Sequence, residues 1–471
     1  MLQLTAGDLE SSARGILTHG SRNAQFSGVS IDSRSLRAGD LFFAIRGPNQ
    51  DGHRFIPDAL SKGAAGVVAE RSYSYPGEFP SGRVLIKVED THRALKDLAM
   101  SFRRRWPGML VAVTGSMGKT TTKEFAAQIL ASRLGVYRTP GNYNNLFGLP
   151  LALFGLNSVH DIGIFEMGMS APGEIAEMCR IASPSVGIIT NVAPVHLEFF
   201  HSLEEIARSK AELAEALPPD GMLVYNADDP LVRAIADRFA GRKSSFGFSE
   251  TADVHADQIE VVGLEETRFR LWCAGAALKA SLPFAGAHYV MNVLPGIVLG
   301  NRCGVAPDRM VERLAGLQQP AMRGQIVRFT EGFAVIDDSY NSSPRALMQM
   351  IEVLAGMPSF TRRILVAGEM LELGKDSNAL HFECGVFAAE RKLDMVVGIQ
   401  GAARELVRGA VEAGMPESRV RFFPGPDAAR DFVNGELRKQ DLVLIKGSRA
   451  VRLEKIVQSL RSHFGVASNE L

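Results

Sequence analysis

The sequence predicts an α/β protein of three domains with mostly parallel β-sheets. The chain has 471 residues, more than one hydrophobic core usually organises, and this length favours about three domains. Short, continuously apolar segments alternate with amphipathic helical segments, a pattern typical of parallel strands covered by helices on both faces. Turns that contain Gly, Asn or Asp separate the two kinds of segment.

Predicted strands recur through the middle and the last third of the chain. In the middle they are Met109–Thr114, Asp161–Glu166, Val186–Asn191 and Met222–Asn226. In the last third they are Phe333–Asp337, Arg363–Ala367, Met395–Ile399, Val420–Phe423 and Leu442–Lys446. Ligands of such sheets bind beyond the carboxyl ends of the strands, so polar residues that follow these strands are the first candidates for a site.

The N-terminal part differs, because glycine-rich turns separate short strands such as Leu41–Ile45 and Gly66–Ala69. We place one domain boundary near Trp106-Pro107-Gly108 and another near Gln318-Gln319-Pro320. The expected domains are a small N-terminal α/β domain (1–107), a central P-loop-type domain (108–319) and a C-terminal Rossmann-like domain (320–471).

Composition limits the classes of function. The 52 basic and 52 acidic residues give a net charge of zero, so no bulk field draws the protein to nucleic acid or an acidic membrane. The longest apolar stretch, near Leu149–Leu156, is too short to cross a bilayer, and no signal peptide is evident. The four cysteines lie far apart without CxxC spacing, which is typical of reduced thiols. We expect a soluble cytoplasmic protein that is a monomer.

The segment MLVAVTGSMGKT, Met109–Thr120, predicts a phosphate-binding loop between a strand and a helix. Backbone N–H groups of such a loop bind phosphate oxygens, Lys119 reaches the terminal phosphates, and the Thr120 hydroxyl suits Mg²⁺. Val113 stands where a strict Walker A motif has glycine, so this is a shorter form of the loop. The candidate ATP-binding residues of the segment and the following helix are Gly115, Ser116, Gly118, Lys119, Thr120 and Thr121.

Two further residues suit a metal site. Glu166 ends a predicted strand beside the loop, and its carboxylate is a good ligand for Mg²⁺, although a solvated glutamate explains it about as well. Asn191 ends the next predicted strand and is followed by His196. Taken alone, His196 is better explained as an ordinary loop histidine.

Lys210 falls on the apolar face of a predicted helix, Leu203–Leu217. One interpretation is that its methylene stem packs in the core while the ammonium reaches water. The other is a desolvated, neutral amine that captures CO₂ as a carbamate and becomes a metal ligand. The pattern leaves both open.

Together these features resemble the Mur ligase family. The resemblance lies in the T-G-S-x-G-K-T loop, a glutamate after the second central strand, an N-x-x-x-x-H segment and a lysine on the next helix. It implies an ATP-dependent ligase that activates a carboxylate as an acyl phosphate and joins it to an amine. It also implies two Mg²⁺ ions and a carbamate, derived from CO₂, on Lys210. The implied catalytic residues are Lys119, Glu166, His196 and Lys210, and the implied metal ligands are Thr120, Glu166, His196 and carbamylated Lys210.

The resemblance extends to the rest of a nucleotide site. In the helical segment Ala287–Gly300, similar to the family's H-N-x-x-N segment, Asn292 would bind adenine, although a satisfied core asparagine is an equal alternative. Tyr289 stands where the family's first asparagine usually lies. Arg323 would contact phosphates and Asp338 ribose. In the DSYNSSP segment that begins at Asp338, Asn341 would face the incoming amine, and Ser343 replaces the family's second asparagine.

The substrates are implied by likeness alone. The residues that would bind a UDP-linked substrate are Ser33, Arg34, Asn49, Gln50 and Asn145. The D-N-P-R motif that selects meso-diaminopimelate is absent. The segments Thr139–Pro150, Val366–Gly374 and Leu444–Arg449 resemble the family members that join D-alanyl-D-alanine to UDP-N-acetylmuramoyl-tripeptide. The C-terminal domain is expected to close over ATP as a hinged body.

Three alternative functions share parts of this sequence pattern. The first is a Mur or folylpolyglutamate-type ligase with a different amine. The second is a P-loop ATPase switch, which should show a guanine-reading N-K-x-D motif or a Walker B aspartate; N-K-x-D is absent, and Glu166 stands at the corresponding strand end. The third is a silent homologue that only binds ligands, which is disfavoured by the joint presence of Lys119, Thr120, Glu166, His196, Lys210 and Arg323.

Overall fold

The computed structural model describes residues 4–47, 50–195 and 197–467. Within these ranges three larger sheets, of five, nine and six strands, follow one another along the chain and confirm the predicted α/β class. Each predicted strand is present, and its ends differ from the prediction by at most two residues. No helix in the described ranges is long and apolar enough to span a membrane.

The N-terminal region contains a five-stranded sheet, a separate two-stranded sheet and flanking helices. Its strands are β1 (Leu4–Thr5), β2 (Ile16–His19), β3 (Gln25–Phe26), β4 (Val29–Ser30), β5 (Leu41–Phe43), β6 (Gly66–Glu70) and β7 (Val84–Val88). Its helices are α1 (Ala6–Ala13), α2 (Ile56–Ser61) and α3 (Thr91–Arg105). The sheet order is β2-β7-β6-β5-β4, with β2 antiparallel to β7 and the other pairs parallel, while β1 and β3 form a separate antiparallel pair.

The middle region contains the nine-stranded sheet. Its strands are β8 (Met109–Thr114), β9 (Val136–Arg138), β10 (Ile162–Glu166), β11 (Val186–Ile189), β12 (Met222–Asn226), β13 (Arg242–Gly247), β14 (Val254–Val261), β15 (Thr267–Cys273) and β16 (Ala276–Leu282). Its helices are α4 (Lys119–Leu130), α5 (Gly148–Leu153), α6 (Glu174–Ala182), α7 (Leu203–Glu215), α8 (Pro230–Arg238), α9 (Ala287–Arg302) and α10 (Pro307–Leu314).

The strand order in this sheet is β16-β15-β14-β13-β12-β11-β8-β10-β9. The pairs from β9 to β14 are parallel, whereas β14, β15 and β16 form an antiparallel extension that was not predicted from the sequence. Burial in the extension tends to alternate from residue to residue, as expected when one face of a sheet meets solvent.

The C-terminal region contains the six-stranded sheet. Its strands are β17 (Gln325–Arg328), β18 (Ala334–Asp338), β19 (Arg362–Gly368), β20 (Met395–Ile399), β21 (Val420–Phe423) and β22 (Asp441–Lys446). Its helices are α11 (Pro344–Ala355), α12 (Ser377–Glu390), α13 (Ala403–Glu412), α14 (Pro426–Glu436) and α15 (Glu454–His463). The order is β17-β18-β22-β19-β20-β21, and every pair except β17–β18 is parallel.

Apolar residues on both faces of the central strands explain why these sheets are covered by helices. Along β8, Leu110 and Ala112 enter one hydrophobic cluster while Val111 and Val113 enter another, and all four are fully buried. The first of these clusters also contains residues of the N-terminal sheet, so the N-terminal and middle regions share a core.

The C-terminal region contacts the middle region near the phosphate loop. Ser343 Oγ donates to Met117 Sδ at 3.6 Å, and the Glu198 N–H donates to the Glu372 carbonyl oxygen at 3.2 Å. The carboxyl ends of β8 and β18 therefore face a common space between the two sheets.

Candidate active site

The phosphate loop connects β8 to α4 and is braced by the residues that follow β11. Gly118 has a φ of +79°, and a side chain at this position would collide with Asn292 Oδ1. Asn191 accepts hydrogen bonds from the Met117 N–H through Oδ1 and from the Ser116 N–H through its carbonyl oxygen, both at 2.9 Å. These contacts fix the loop backbone ahead of the helix N-terminus, where phosphate groups bind in folds of this kind.

Lys119 opens α4 and bends back over its own loop. Its Nζ atom donates to the carbonyl oxygens of Gly115 at 2.8 Å and Ser116 at 3.2 Å. Burial lowers the pKa of Lys119; the Glu166 carboxylate opposes this shift and Arg323 adds to it. The structure therefore brings Arg323, from the start of the C-terminal sheet, within electrostatic range of the loop.

Glu166 is a buried carboxylate at the end of β10, with an exposed fraction of 3%. Its Oε2 atom accepts a hydrogen bond from the Thr120 hydroxyl at 2.7 Å, and its Oε1 atom accepts one from Asn144 Nδ2 at 2.8 Å. The backbone N–H of Glu166 donates to Thr139 Oγ1 at 3.1 Å. No basic nitrogen of the described residues lies within 4.0 Å of this carboxylate. Glu166 is thus a buried carboxylate held by neutral donors, an arrangement that suits a cation.

Lys210 lies on the buried face of α7, between Ile206 and Leu213, with an exposed fraction of 1%. The interpretation in which its ammonium reaches water is therefore wrong. Burial lowers the pKa of the Lys210 amine well below its usual range, and the nearby Lys119 ammonium lowers it further. Both effects shift the equilibrium of the Lys210 side chain toward the neutral amine.

The donor atoms around Glu166 fit Mg²⁺, because the Thr120 hydroxyl and the Glu166 carboxylate are hard oxygen ligands in contact with each other. His196, the third predicted ligand, lies outside the described residues. Among those that are described, no group of three His, Cys, Asp or Glu side chains could hold a metal. This part of the chain thus offers few ligands, as in Mg²⁺ sites that phosphate oxygens and water complete.

A cleft of about 860 Å³ lies between the phosphate loop and the C-terminal sheet. It brings together residues that were predicted to bind ATP from three separate parts of the chain: Gly118, Thr121, Asn292, Arg323 and Asp338. The other predicted residues do not line the cleft but lie beside it, on the loop and on the first turn of α4: Gly115, Ser116, Lys119 and Thr120.

Asp338 forms a largely buried ion pair with Lys446 at the edge of the cleft. Lys446 Nζ donates to Asp338 Oδ2 at 2.6 Å and to the Asn341 carbonyl oxygen at 2.9 Å. Burial lowers the pKa of His288 to about 4, and Lys446 contributes to the shift. Asn341 itself is exposed, and its Oδ1 atom accepts a hydrogen bond from the Ser342 N–H at 2.9 Å.

The residues predicted to bind a UDP-linked substrate show contacts with near neighbours in the fold. Ser33 is buried, and Arg34 forms an ion pair with Asp32 at 2.7 Å. Asn145 is exposed and accepts hydrogen bonds from two N–H groups at the start of α5 through Oδ1. Gln50 is also exposed, and Asn49 lies outside the described residues.

Three residues of the site were missed as individual candidates. Asn144 and Thr139 hold Glu166, and both lie in the Thr139–Pro150 segment, whose sequence signal is its resemblance to the family. Lys446 lies in the Leu444–Arg449 segment, whose signal is of the same kind. Their contacts join strands that are distant in sequence, so spacing could not have identified them.

The chain matches three models of one protein family. The Mur ligase family catalytic domain matches residues 25–103, the Mur ligase middle domain matches residues 113–300, and the Mur ligase glutamate ligase domain matches residues 322–449.

Curated relatives match over nearly the whole chain. The UDP-N-acetylmuramoyl-tripeptide–D-alanyl-D-alanine ligase of Bacillus subtilis (strain 168) is 33% identical, over 92% of this chain and 93% of its own. The enzyme of the same name from Escherichia coli (strain K12) is 32% identical, over 92% of this chain and 94% of its own.

Solved structures of MurF proteins have a fold similar to that of this chain. A crystal structure of MurF from Acinetobacter baumannii superposes with a TM-score of 0.86 at 27% identity, covering 98% of this chain and 99% of that one. MurF ligase from Thermotoga maritima in complex with ADP gives a TM-score of 0.79 at 30% identity, covering 93% of this chain and 97% of that one. Sequence likeness over nearly the full length and the shared fold agree, and the chain belongs to the Mur ligase family.

Proposed function

We propose that this chain joins D-alanyl-D-alanine to UDP-N-acetylmuramoyl-tripeptide at the expense of ATP, the last stem-peptide step in the synthesis of the peptidoglycan precursor. One structural observation carries the ligase chemistry: the phosphate loop ends in Thr120, whose hydroxyl meets the buried Glu166 carboxylate beside Lys119. The choice of substrates rests on the enzymes of that name to which the chain is similar over more than nine tenths of its length. We place the reaction in the cytoplasm, where ATP is available.

The proposed division of labour follows the three sheets. The N-terminal region (1–107) binds the UDP-linked substrate through Ser33, Arg34, Asn49 and Gln50, assisted by Asn145 from the middle region. The middle region (108–319) binds ATP. The C-terminal region (320–471) binds the amine substrate, with Asn341 facing it, and closes over ATP. The position of the cleft between the phosphate loop and Asp338 supports this arrangement.

Thr120, Glu166 and His196 are the proposed protein ligands of two Mg²⁺ ions. When bound, Mg²⁺ neutralises charge on the phosphate oxygens and on the incoming carboxylate. The burial of Glu166 and its contact with the Thr120 hydroxyl support this assignment. Glu166 is held in place by Asn144 and by its own backbone, so it needs little reorganisation to ligate a cation.

The proposed carbamate on Lys210 has two supports in the structure. The side chain is buried, and no carboxylate of the described residues lies within 4.0 Å of Nζ to compensate an ammonium charge. The neighbouring Lys119 charge disfavours a second cation but would attract an anion. Attack of the neutral amine on CO₂ forms an N–C bond and releases one proton, and it converts Lys210 into an anionic oxygen ligand.

The reaction begins with attack of a tripeptide carboxylate oxygen on the γ-phosphorus of ATP. The bond to the β–γ bridging oxygen breaks, and ADP leaves. The D-alanyl-D-alanine amine then attacks the acyl carbon and loses a proton, and inorganic phosphate departs from the tetrahedral intermediate. The negative reactants must be held together, so Lys119 and Arg323 act by positioning and by offsetting charge rather than as nucleophiles. Closure of the cleft would keep water from the acyl phosphate.

The test is ADP release with Mg-ATP and UDP-N-acetylmuramoyl-tripeptide, with D-alanyl-D-alanine, meso-diaminopimelate, L-lysine or glutamate as the amine. Turnover with D-alanyl-D-alanine alone is the expected result. Turnover with another amine instead would keep the ligase mechanism and overturn the proposed acceptor. A folded protein that binds Mg-ATP but turns over with none of these amines would contradict the proposed function.

A further inference from the structure

Tyr289 on α9 contacts the segment that joins the middle region to the C-terminal sheet. Its hydroxyl donates to the Arg323 carbonyl oxygen at 3.1 Å, two residues before β17 begins. The Gln319 side chain lies beside the same hydroxyl. The contact therefore joins helix α9 of the middle region to the segment just before β17, the first strand of the C-terminal sheet.

Close packing around Tyr289 holds its side chain and this hydrogen bond in place. Tyr289 is 5% exposed, with its ring 5.3 Å from that of Phe284 and 4.0 Å from that of His288. Gly324 has a φ of +84°, and a side chain there would collide with the Tyr289 hydroxyl. The Gly324 N–H donates to the Asp337 carbonyl oxygen at 2.9 Å, which ties the same segment to β18.

The Arg323 side chain extends from this anchored backbone into the nucleotide cleft. Its guanidinium lies over the Tyr340 ring, 4.3 Å from the ring centroid, and the residue lines the cleft with Asp338. The Arg323 charge also acts on Lys119 of the phosphate loop. A displacement of the Arg323 backbone would move this guanidinium relative to the loop.

We propose that Tyr289 is a positioning residue for nucleotide binding. Its hydroxyl fixes the backbone of the joining segment at Arg323, and so sets the position of the Arg323 guanidinium in the cleft. This inference rests on the proposed function for the role of the cleft. Tyr289 then acts on the nucleotide through the backbone of Arg323, and not by recognising adenine.

The test is a double-mutant cycle on the binding of Mg-ATP, measured by calorimetry without acceptor substrates. Loss of a single hydrogen bond predicts that Tyr289→Phe weakens binding by about three- to tenfold, and Arg323→Met should weaken it by about tenfold or more. If Tyr289 acts through Arg323, the double variant should bind within about twofold of Arg323→Met alone, because interacting residues are not additive. Thermal unfolding of each variant reports whether the fold is intact.

Tyr137→Phe is the matched control. Tyr137 also donates its hydroxyl hydrogen to a backbone carbonyl, that of Ala152 at 2.6 Å, but it lies on the edge strand β9. This variant should lose a similar amount of stability and keep its affinity for Mg-ATP. Effects of Tyr289→Phe and Arg323→Met that multiply, or an unchanged affinity of Tyr289→Phe, would overturn the inference.

Binding and turnover separate the two claims. A wild-type protein that binds Mg-ATP but releases no ADP with any amine would contradict the proposed function. The double-mutant cycle on Mg-ATP binding would still test the role of Tyr289. Absence of Mg-ATP binding by the folded wild-type protein would overturn both.

Discussion

The Thr120 hydroxyl on the first turn of α4 donates to Glu166 at the end of β10, with 2.7 Å between the two oxygen atoms. β10 lies directly beside β8 in parallel register, so the end of one strand meets the helix that follows the other. A residue of the phosphate loop and a carboxylate 46 positions away are thereby placed to share one cation.

Glu166→Gln tests whether this carboxylate acts by its charge. Glutamine keeps the size of the side chain and can bond to Thr120 and Asn144, so the free energy of unfolding should change by less than about 1 kcal/mol. The turnover number should fall by about a hundredfold or more, because the cation loses an anionic ligand. Urea unfolding measures the free energy of unfolding, and ADP release across a range of Mg²⁺ concentrations measures the turnover number. Wild-type turnover at every Mg²⁺ concentration would contradict a role in metal binding.

Asn144→Ala tests the positioning of the same carboxylate. Removing the Asn144 amide leaves Glu166 Oε1 without its donor, so the carboxylate should ligate Mg²⁺ less well. We expect the Mg²⁺ concentration for half-maximal ADP release to rise by about tenfold, with a smaller loss of turnover at saturating Mg²⁺. Asn142→Ala, an exposed position in the same loop, is the control and should behave like the wild type.

Most of the fold could be predicted from the sequence, because continuously apolar strands and the glycine turns that follow them are local signals. It did not predict the antiparallel strands β14 to β16, whose alternating burial depends on which face of the sheet meets solvent. For Lys210 the apolar helical face was evident, but only the packing around α7 decides that the amine does not reach water. Asn144 was not found, because its contact with Glu166 joins the loop after β9 to the end of β10, 22 positions further along the chain.

His288→Gln tests the effect of a buried histidine on stability at low pH. The pKa of His288 falls from 6.5 to about 4 on folding, so between these values the unfolded chain binds a proton that the folded protein does not. Stability is therefore unaffected above pH 6.5 and is lost as the pH falls toward 4. The wild type should lose about 2 kcal/mol more than His288→Gln between pH 7 and pH 4.5, as measured by urea unfolding at both values. Equal losses would show that His288 is protonated in the folded state.

Lys446→Met removes the partner of Asp338 and leaves a carboxylate in the cleft without compensation. The pair is largely buried, with side-chain exposures of 5% and 14%, and breaking such a pair costs about 3 kcal/mol because one charge stays unpaired. The affinity for Mg-ATP should also fall, since the unpaired carboxylate repels the phosphates. Lys455→Met is the matched control: Lys455 on α15 pairs with Asp427 on α14, in the same region of the chain but with more exposed side chains, 33% and 68%. Its loss should cost less than about 1 kcal/mol and leave nucleotide binding unchanged. Similar unfolding free energies for the two variants would mean that Asp338 gains little from Lys446.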